Sequence, residues 1–294
     1  GITNAAYRIV VKQIFDKYAK EGNELWMWTE FMNAEGYVRQ PQRLVHHIIR
    51  TDYENQTIAQ IYGWDHEDLI ATAKDIVARY PWFAGIELNI WCPSPKVMSC
   101  GGGAGMMREK GKTLELIKRL RDAVAPLPFS IKTRAGLVDD DKAAQKQFIV
   151  DAAEYCTTIT IHGRTYKQWH SGSVDREYLY DVKRLVGDKA KIIGNGGIKS
   201  YEDALAKKWN LDGVMIGQAA IADPWVFLGI RPSNEELLET ILFHLKLMII
   251  AYDYYNKNLH FTDTFPQPSY EQRMNEVEQF DVSRYDIGKS VIEY

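Results

Sequence analysis

Several features are scarce in this sequence, and each shortage excludes a class of protein. Three cysteines in 294 residues, with no Cys-x-x-Cys, argue against a disulfide framework and predict a reducing, cytoplasmic location. No apolar run approaches the ~18 residues of a membrane span, and the N-terminus lacks the basic-then-apolar order of a signal peptide. The net charge of −3 excludes a globally basic nucleic-acid binder. We therefore expect a cytoplasmic protein without a membrane partner, in which any contact with nucleic acid is local.

The abundant features are those of a large α/β protein. Hydrophobic residues make up 46% of the chain and charged residues 26%, which is enough to bury a full core. β-Branched and aromatic runs alternate with stretches of helical periodicity. The predicted strands cover residues 25–32, 57–63, 85–90, 129–133, 157–162, 191–193 and 213–216. The predicted helices cover residues 4–20, 42–49, 65–80, 112–124, 141–153, 176–186 and 201–209.

This alternation predicts a parallel sheet flanked by helices, as an open doubly wound sheet or a closed barrel. A (β/α)₈ barrel needs eight strands, and the strand that should feed the first helix is missing. We predict an α/β fold of the (β/α)₈ TIM type over residues 1–230, without its first strand and open at one seam. The pattern changes near Pro232, where residues 235–255 form one long helix. Residues 231–294 are predicted to be a C-terminal helical segment that is cut short or partly disordered.

One stretch carries the most chemistry. The strand over residues 85–90 delivers Asn89 and Cys92 to a proline- and glycine-rich loop. A lone cysteine at a strand end is more often a buried small hydrophobe than a reactive group. Here, however, Asn-x-x-Cys-Pro is followed by Pro-x-x-Val-x-x-x-Gly-Gly-Gly-Ala. That pattern resembles the active-site loop of the tRNA-dihydrouridine synthases, flavoenzymes that reduce uridines in tRNA. The family usually has glycine where this chain has Trp91.

Two glycine loops point to a phosphate. Asn195-Gly196-Gly197 and Gly217-Gln218 each follow a strand and precede a helix, where free N–H groups and the helix dipole favour an anion. Strand-to-helix turns also use glycine for geometry alone, so each loop by itself leaves the question open. The resemblance implies that these five residues bind the phosphate of FMN. The family ordinarily has Gly-Arg where this chain has Gly217-Gln218.

Three polar residues end other strands and are predicted to meet at one mouth: Gln60, Lys132 and His162. The resemblance implies that they line the isoalloxazine ring of FMN. A fixed ammonium there would stabilise the anionic reduced ring. A purely structural role is the alternative for each of the three.

The resemblance also implies a reaction and a set of substrate contacts. NADPH or NADH reduces FMN, and the flavin then passes hydride to C6 of a uracil. Cys92 gives the proton to C5, since an ordinary thiol with a pKa of ~8.5 is protonated at neutral pH. Asn89 would hydrogen-bond the uracil edge, and Arg164 would contact the substrate backbone or the flavin.

The predicted partners are tRNA and a nicotinamide cofactor, in a monomer without a bound metal. The seven histidines include only one adjacent pair. Basic and aromatic residues near the mouth are candidates for a local RNA-binding surface: Lys96, Arg108, Arg134, Lys167 and Trp169. Two rival hypotheses remain open, namely an FMN barrel that acts on a free pyrimidine or dihydroorotate, and a degenerate RNA-binding protein without turnover.

Overall fold

The computed structural model describes residues 3–92 and 94–281, and predictions for residues 282–294 fall outside that range. Strand and helix alternate along most of the described chain. The strands are β1 Met27–Trp28, β2 Met32–Asn33, β3 Thr57–Tyr62, β4 Gly85–Asn89, β5 Phe129–Arg134, β6 Thr158–His162, β7 Lys191–Asn195 and β8 Gly213–Met215. Every pairing among them is parallel.

Helices connect most of the strands, precede β1 and follow β8. They are α1 Ala5–Tyr18, α2 Ala34–Arg39, α3 Pro41–Leu44, α4 His66–Arg79, α5 Pro95–Ser99, α6 Lys110–Val124, α7 Lys142–Ala152, α8 Arg176–Val186, α9 Tyr201–Lys208, α10 Gln218–Ala222, α11 Asn234–Lys257 and α12 Tyr270–Glu278. Several begin at a capping side chain: Asn4 accepts from the N–H of Tyr7, and Asp65 accepts from Glu67 and Asp68. None of the described helices is long and apolar enough to cross a membrane.

The sheet curls into an open barrel, as predicted. From β3 to β8 the strands pair in chain order, and β1 and β2 both pair with β3. Within the described residues the ladder does not continue from β8 to β1. The single strand predicted over residues 25–32 is thus divided into two short ones. Between them the Thr29 hydroxyl accepts the N–H of Gln60, so a side chain replaces a strand carbonyl at that point.

Helix α1 bridges the two edges of the sheet. Its Tyr7 packs with Met27 of β1, and the Tyr7 hydroxyl donates to the carbonyl of Ala220, in the helix after β8. The next turns of α1 pack against Trp225 and Leu247. The first helix and the C-terminal helices therefore occupy the side of the barrel where the ladder is interrupted.

The main core lies between the sheet and its helices. Isoleucine and leucine from the strands, among them Ile86, Leu88 and Ile131, are fully buried against the surrounding helices. The intervening residues point to the opposite face, because strand side chains alternate. In register on that face stand Gln60 beside Glu87, Asn89 beside Lys132, Arg134 beside His162, and His162 beside Asn195. The barrel interior is therefore polar toward its mouth.

The segment between α11 and α12 is seated on the barrel. Phe265 has 0% exposure, belongs to the main core, and donates its N–H to the Tyr80 hydroxyl at 3.3 Å. Gln13 of α1 donates to the Tyr270 hydroxyl at 2.6 Å. The C-terminal segment is helical and shares the core of the barrel. The division into domains at residues 230 and 231 stays a prediction.

We expect Phe265→Ala to lower the free energy of unfolding by about 3–5 kcal/mol, because a buried ring is replaced by a cavity. Urea denaturation measures this change. Leu238→Ala is the matched control, since Leu238 on α11 is 61% exposed and an exposed position changes stability by only about 0.5 kcal/mol. Equal effects in both variants would show that Phe265 does not anchor this segment.

Candidate active site

The Cys92 loop is fixed by the side chain of Asn89. The Asn89 Oδ1 accepts the N–H groups of Trp91 and Cys92, each at 3.1 Å. Farther along the loop, Ala104 donates its N–H to the Cys92 carbonyl at 3.0 Å. The cysteine is 8% exposed. Its backbone is thus held from both sides, with the thiol at the end of β4.

The glycines after Cys92 allow the loop to fold back on itself. A Cβ at Gly103 would lie 2.7 Å from the Cys92 carbonyl oxygen and 2.9 Å from the Cys92 Cβ, and the φ of Gly103 is +53°. A Cβ at Gly102 would lie 2.5 Å from the Gly63 carbonyl oxygen. No side chain fits at either position. These two glycines are therefore required by the packing of the loop against its own chain.

A chain of hydrogen bonds runs from the barrel interior to the Cys92 loop. The Glu87 carboxylate accepts from Gln60 Nε2, and Gln60 Oε1 accepts from Asn89 Nδ2 at 3.0 Å. Both ends of the Gln60 amide are engaged, which fixes its orientation. Asn89 in turn holds the loop. The position of Cys92 therefore depends on a hydrogen-bonded network of three side chains: Glu87, Gln60 and Asn89.

Glu87 is a site residue that the sequence interpretation overlooked. It is fully buried, and its carboxylate accepts from Gln60. Burial raises the pKa of this carboxyl group, and the bond from Gln60 and the ammonium of Lys132 oppose that rise. The signal in the sequence was a charged residue between two core positions of a strand.

A hydrogen bond between Lys132 and Asn195 connects β5 with β7 at the barrel mouth. Lys132 Nζ donates to Asn195 Oδ1 at 3.2 Å, and Asn195 Nδ2 donates to the Met215 carbonyl at 2.8 Å. Burial lowers the pKa of Lys132, and the Glu87 carboxylate counteracts this. The predicted ring-binding lysine and the predicted phosphate-loop asparagine are therefore in direct contact.

The loop after β7 lies against His162. Gly196 has φ +107°, and a Cβ there would stand 2.8 Å from His162 Nε2. Gly197 also has a positive φ, of +63°. Arg176 Nη2 donates to the Gly196 carbonyl, and Lys207 Nζ donates to the Gly197 carbonyl at 2.8 Å. Only glycine allows this close approach of backbone to imidazole.

Gly217 and Gln218 occupy a more open position. Gln218 is exposed at the first residue of α10, and a Cβ at Gly217 would meet nothing within 4 Å. No side chain caps the start of α10. Phosphate binding by these two residues and by the loop from Asn195 to Gly197 stays a prediction.

Aromatic and cationic groups gather around Trp91. Its ring stacks on the His162 imidazole with centroids 5.9 Å apart and planes inclined by 19°. Lys132 Nζ lies 4.0 Å from the ring centre and the Arg134 guanidinium carbon 4.7 Å from it. His162 is 4% exposed, and its burial, together with these cations, lowers its pKa to about 2. The imidazole is therefore neutral at physiological pH.

These features agree with an independent comparison of the sequence with known protein families. The family model described as dihydrouridine synthase (Dus) matches residues 1–256. The chain belongs to the dihydrouridine synthase family.

Two relatives illustrate the range of similarity within the dihydrouridine synthase family. A probable tRNA-dihydrouridine synthase of Rickettsia bellii is 28% identical over 274 residues, which is 88% of this chain and 78% of that protein. A tRNA-dihydrouridine(47) synthase [NAD(P)(+)] of Coprinopsis cinerea is 29% identical over 188 residues, 60% of this chain and 28% of that protein.

Among solved structures, ligand-free DHODH from Eimeria tenella is similar to 80% of this chain and 66% of its own, with 13% identity and a TM-score of 0.47. The assignment of the fold depends on the curled parallel sheet itself.

The basic residues predicted for substrate binding in this dihydrouridine synthase family member fall into two groups. Arg164 Nε and Nη2 both donate to the Gly172 carbonyl, at 3.0 and 2.8 Å, so this guanidinium holds the loop after β6. Arg134 is fully buried and donates to the carbonyls of Thr165 and Trp169. Its predicted place in an exposed RNA-binding surface was wrong, because burial in β5 turns its guanidinium into the barrel mouth. The remaining candidates are exposed: Lys96, Arg108, Lys167 and Trp169.

In the part of the chain that the structure describes, no group of three or more His, Cys, Asp or Glu side chains is arranged to hold a metal ion. Cys92, Cys100 and Cys156 are all free.

Asn89→Ala should loosen the Cys92 loop, because the partly buried N–H of Trp91 and the buried N–H of Cys92 lose their acceptor, at a cost of about 1–3 kcal/mol. We expect Cys92 to react with a thiol reagent about tenfold faster or more, measured by peptide mass spectrometry. Exposed Cys100 and buried Cys156 serve as internal references for reagent access and for global unfolding. An unchanged rate at Cys92 would mean that Asn89 does not hold the loop.

The neutral His162 predicts a pH dependence of stability. Its pKa is depressed in the folded protein, so only the unfolded chain takes up a proton as the pH falls through about 6.5. Between pH 7.5 and 5.5 this group should lower the free energy of unfolding by about 1 kcal/mol.

The pKa values of His46, His170 and His244 are also lowered, so the contribution of His162 is measured as the difference between the parent protein and His162→Gln in urea unfolding at the two pH values. His162→Gln should remove it, while the control His260→Gln, at an exposed histidine, should retain it. The same acid dependence in His162→Gln and the parent protein would contradict a buried neutral imidazole.

Proposed function

We propose that this protein reduces uridine in tRNA to 5,6-dihydrouridine, with FMN as bound cofactor and NADPH or NADH as reductant. Membership in the dihydrouridine synthase family supports the reaction. The observation that carries the proposal is the Cys92 loop, pinned by Asn89 beside a polar barrel mouth. A monomeric state is part of the proposal, and so is a cytoplasmic location, which three free cysteines support.

The barrel mouth has the polar groups that a flavin ring requires. Two nitrogens of Arg134, Nε and Nη2, and the Nδ1 of His162 are buried without a hydrogen-bond partner among the described residues. Buried polar groups normally have partners, so these sites favour a ligand with several acceptors along a planar edge. The carbonyls and ring nitrogens of isoalloxazine provide such an edge. FMN would supply the hydride for C6 of the uracil.

The proposal assigns the chain's own residues to two parts of FMN. Gln60, Lys132 and His162 would contact its ring, since all three lie on the inner face of the barrel. The phosphate would bind at the two glycine loops: Asn195, Gly196, Gly197, Gly217 and Gln218. Gly196, with its positive φ, packs its backbone against His162, so the first of these loops lies beside a residue assigned to the ring.

Cys92 would complete the reduction by proton transfer. Hydride addition at C6 leaves negative charge on the uracil, and the Cys92 Sγ gives its proton to C5 to form the neutral product. Asn89 holds the cysteine backbone through its oxygen, and one amide hydrogen is bound to Gln60. The second Nδ2 hydrogen is the one with which Asn89 would contact the uracil edge.

Substrate access would come from the loops around the mouth. A uridine in folded tRNA must leave its stack to reach a thiol inside a barrel. Exposed Lys96, Arg108 and Lys167 would contact phosphates, and exposed Trp169 could stack on a base. Arg164, which holds the loop that carries Trp169, would contact the RNA backbone with its remaining donors.

The direct test is an absorbance spectrum between 300 and 550 nm, followed by anaerobic addition of NADPH or NADH and by a dihydrouridine assay on unmodified tRNA. Flavin bands that bleach with the nucleotide, and dihydrouridine formed in the tRNA, would support the proposal. A folded protein that takes up no FMN and still binds tRNA would instead favour a binding protein without turnover.

Cys92→Ala should leave FMN binding and its reduction by NADPH intact while slowing uridine reduction by about 10²–10⁴-fold, the usual effect of losing a positioned acid. Stopped-flow absorbance separates the two half-reactions. Cys100→Ala is the matched control and should keep full activity, since Cys100 is exposed and has no assigned role. An equal loss of both half-reactions in Cys92→Ala would assign this cysteine a structural role.

A further inference from the structure

We call the inner barrel face that carries Lys132, Arg134 and His162 the ring-binding wall. The flavin ring is assigned to this wall, and the ring of Trp91 lies on it. It is stacked on His162, with Lys132 Nζ 4.0 Å and the Arg134 guanidinium carbon 4.7 Å from its centre. The indole therefore contacts the imidazole and the two buried cations of the barrel mouth. One planar side chain of the protein thus occupies the surface that a planar ligand needs.

The spacing leaves no room for a second ring. Stacked aromatic carbons approach to about 3.5 Å, so a ring inserted between two others would need about 7 Å between them. The centroids of Trp91 and His162 are only 5.9 Å apart. The Lys132 ammonium also touches the indole directly. A flavin ring therefore cannot stack on the His162 imidazole while the indole is stacked there.

The indole interacts with the positive charges of this wall but not with its hydrogen-bond donors. Its π-face attracts the two cations, but an indole carries a single N–H donor and no acceptor. The Nε and Nη2 of Arg134 are left without a partner in the described part of the chain. A ring that carries carbonyl oxygens would accept those hydrogen bonds. The wall is therefore better matched to a polar heterocycle than to the side chain that covers it.

The backbone hydrogen bond of Trp91 does not restrain its indole. Trp91 is anchored by its N–H to Asn89, and that bond does not involve the side-chain torsions. The side chain is half-buried, so the fold does not enclose it completely. Rotation about its side-chain torsions would carry the indole outward without moving Cys92 from Asn89.

We propose that Trp91 is an internal competitor of FMN, which closes the ring-binding wall in the free protein and swings outward when the flavin ring binds. This inference rests on the proposed use of FMN. Binding then requires the minor, open arrangement, and the apparent affinity is reduced by the fraction of protein that is open. Removal of the indole should restore that affinity.

FMN titration of the flavin-free protein, followed by flavin fluorescence, tests the competition. Trp91→Ala should bind FMN about tenfold more tightly than the parent chain, given contacts with two desolvated cations. Trp91→Phe keeps a ring over the cations and should stay near the parent value. Lumiflavin, which has the ring without the phosphate, should gain as much as FMN from Trp91→Ala.

Fluorine NMR of protein labelled with 5-fluorotryptophan tests the movement without relying on the alanine variant. The resonance of Trp91, one of eight tryptophans, is identified by its loss in Trp91→Phe. On addition of FMN this resonance should acquire the solvent isotope shift of an exposed indole.

The possible results separate the inference from the function on which it rests. Weaker or unchanged FMN binding in Trp91→Ala would overturn the inference, since the indole would then be a platform for the flavin or unrelated to it. An unmoved Trp91 resonance in FMN-saturated protein would do the same. Failure of every folded variant to bind FMN or lumiflavin would overturn the flavin proposal itself, together with this inference.

Discussion

The parallel register of β3, β4, β5 and β6 is the constraint on which the candidate site depends. It places Gln60 beside Glu87, and Asn89 beside Lys132, all on the inner face of the sheet. Side chains alternate along a strand, so a slip of one residue would exchange this polar face with the apolar core outside. The same pairing that buries the isoleucines against the helices therefore assembles the polar mouth.

Burial of this polar face has an electrostatic consequence. A buried carboxyl and a buried ammonium, Glu87 and Lys132, have pKa values displaced toward each other, and His162 is held neutral. Groups with such displaced pKa values are typical of sites that move protons or bind charged ring systems. Trp91 covers the cations with a π-face but leaves donors of Arg134 without an acceptor. The arrangement combines a polar wall with one aromatic side chain that covers it.

Much of the order of strands and helices was predictable because it depends on the local sequence pattern. The alternation of strands and helices and the open barrel follow from runs of β-branched residues, helical periodicity and the right-handed crossover. The strand over residues 25–32 was predicted as continuous because its sequence has no breaker. Its division into two depends on the hydroxyl of Thr29, which accepts a hydrogen bond from Gln60 thirty-one residues later. Likewise, the sequence did not show that β5 is buried on both faces. Arg134 was therefore expected on an exposed surface.

By itself, the sequence determined roughly where each strand lies, and hence that Gln60, Cys92, Lys132 and His162 fall within or just after strands whose carboxyl ends share one mouth. Such information is local, because a strand end and a glycine turn are set by neighbours along the chain. Tertiary structure alone decided how those residues are connected: the bonds from Glu87 through Gln60 to Asn89, and the stacking of Trp91 on His162. Hydrogen bonds and ring contacts act over a few ångströms between side chains far apart in sequence. Only the folded sheet brings them within that reach.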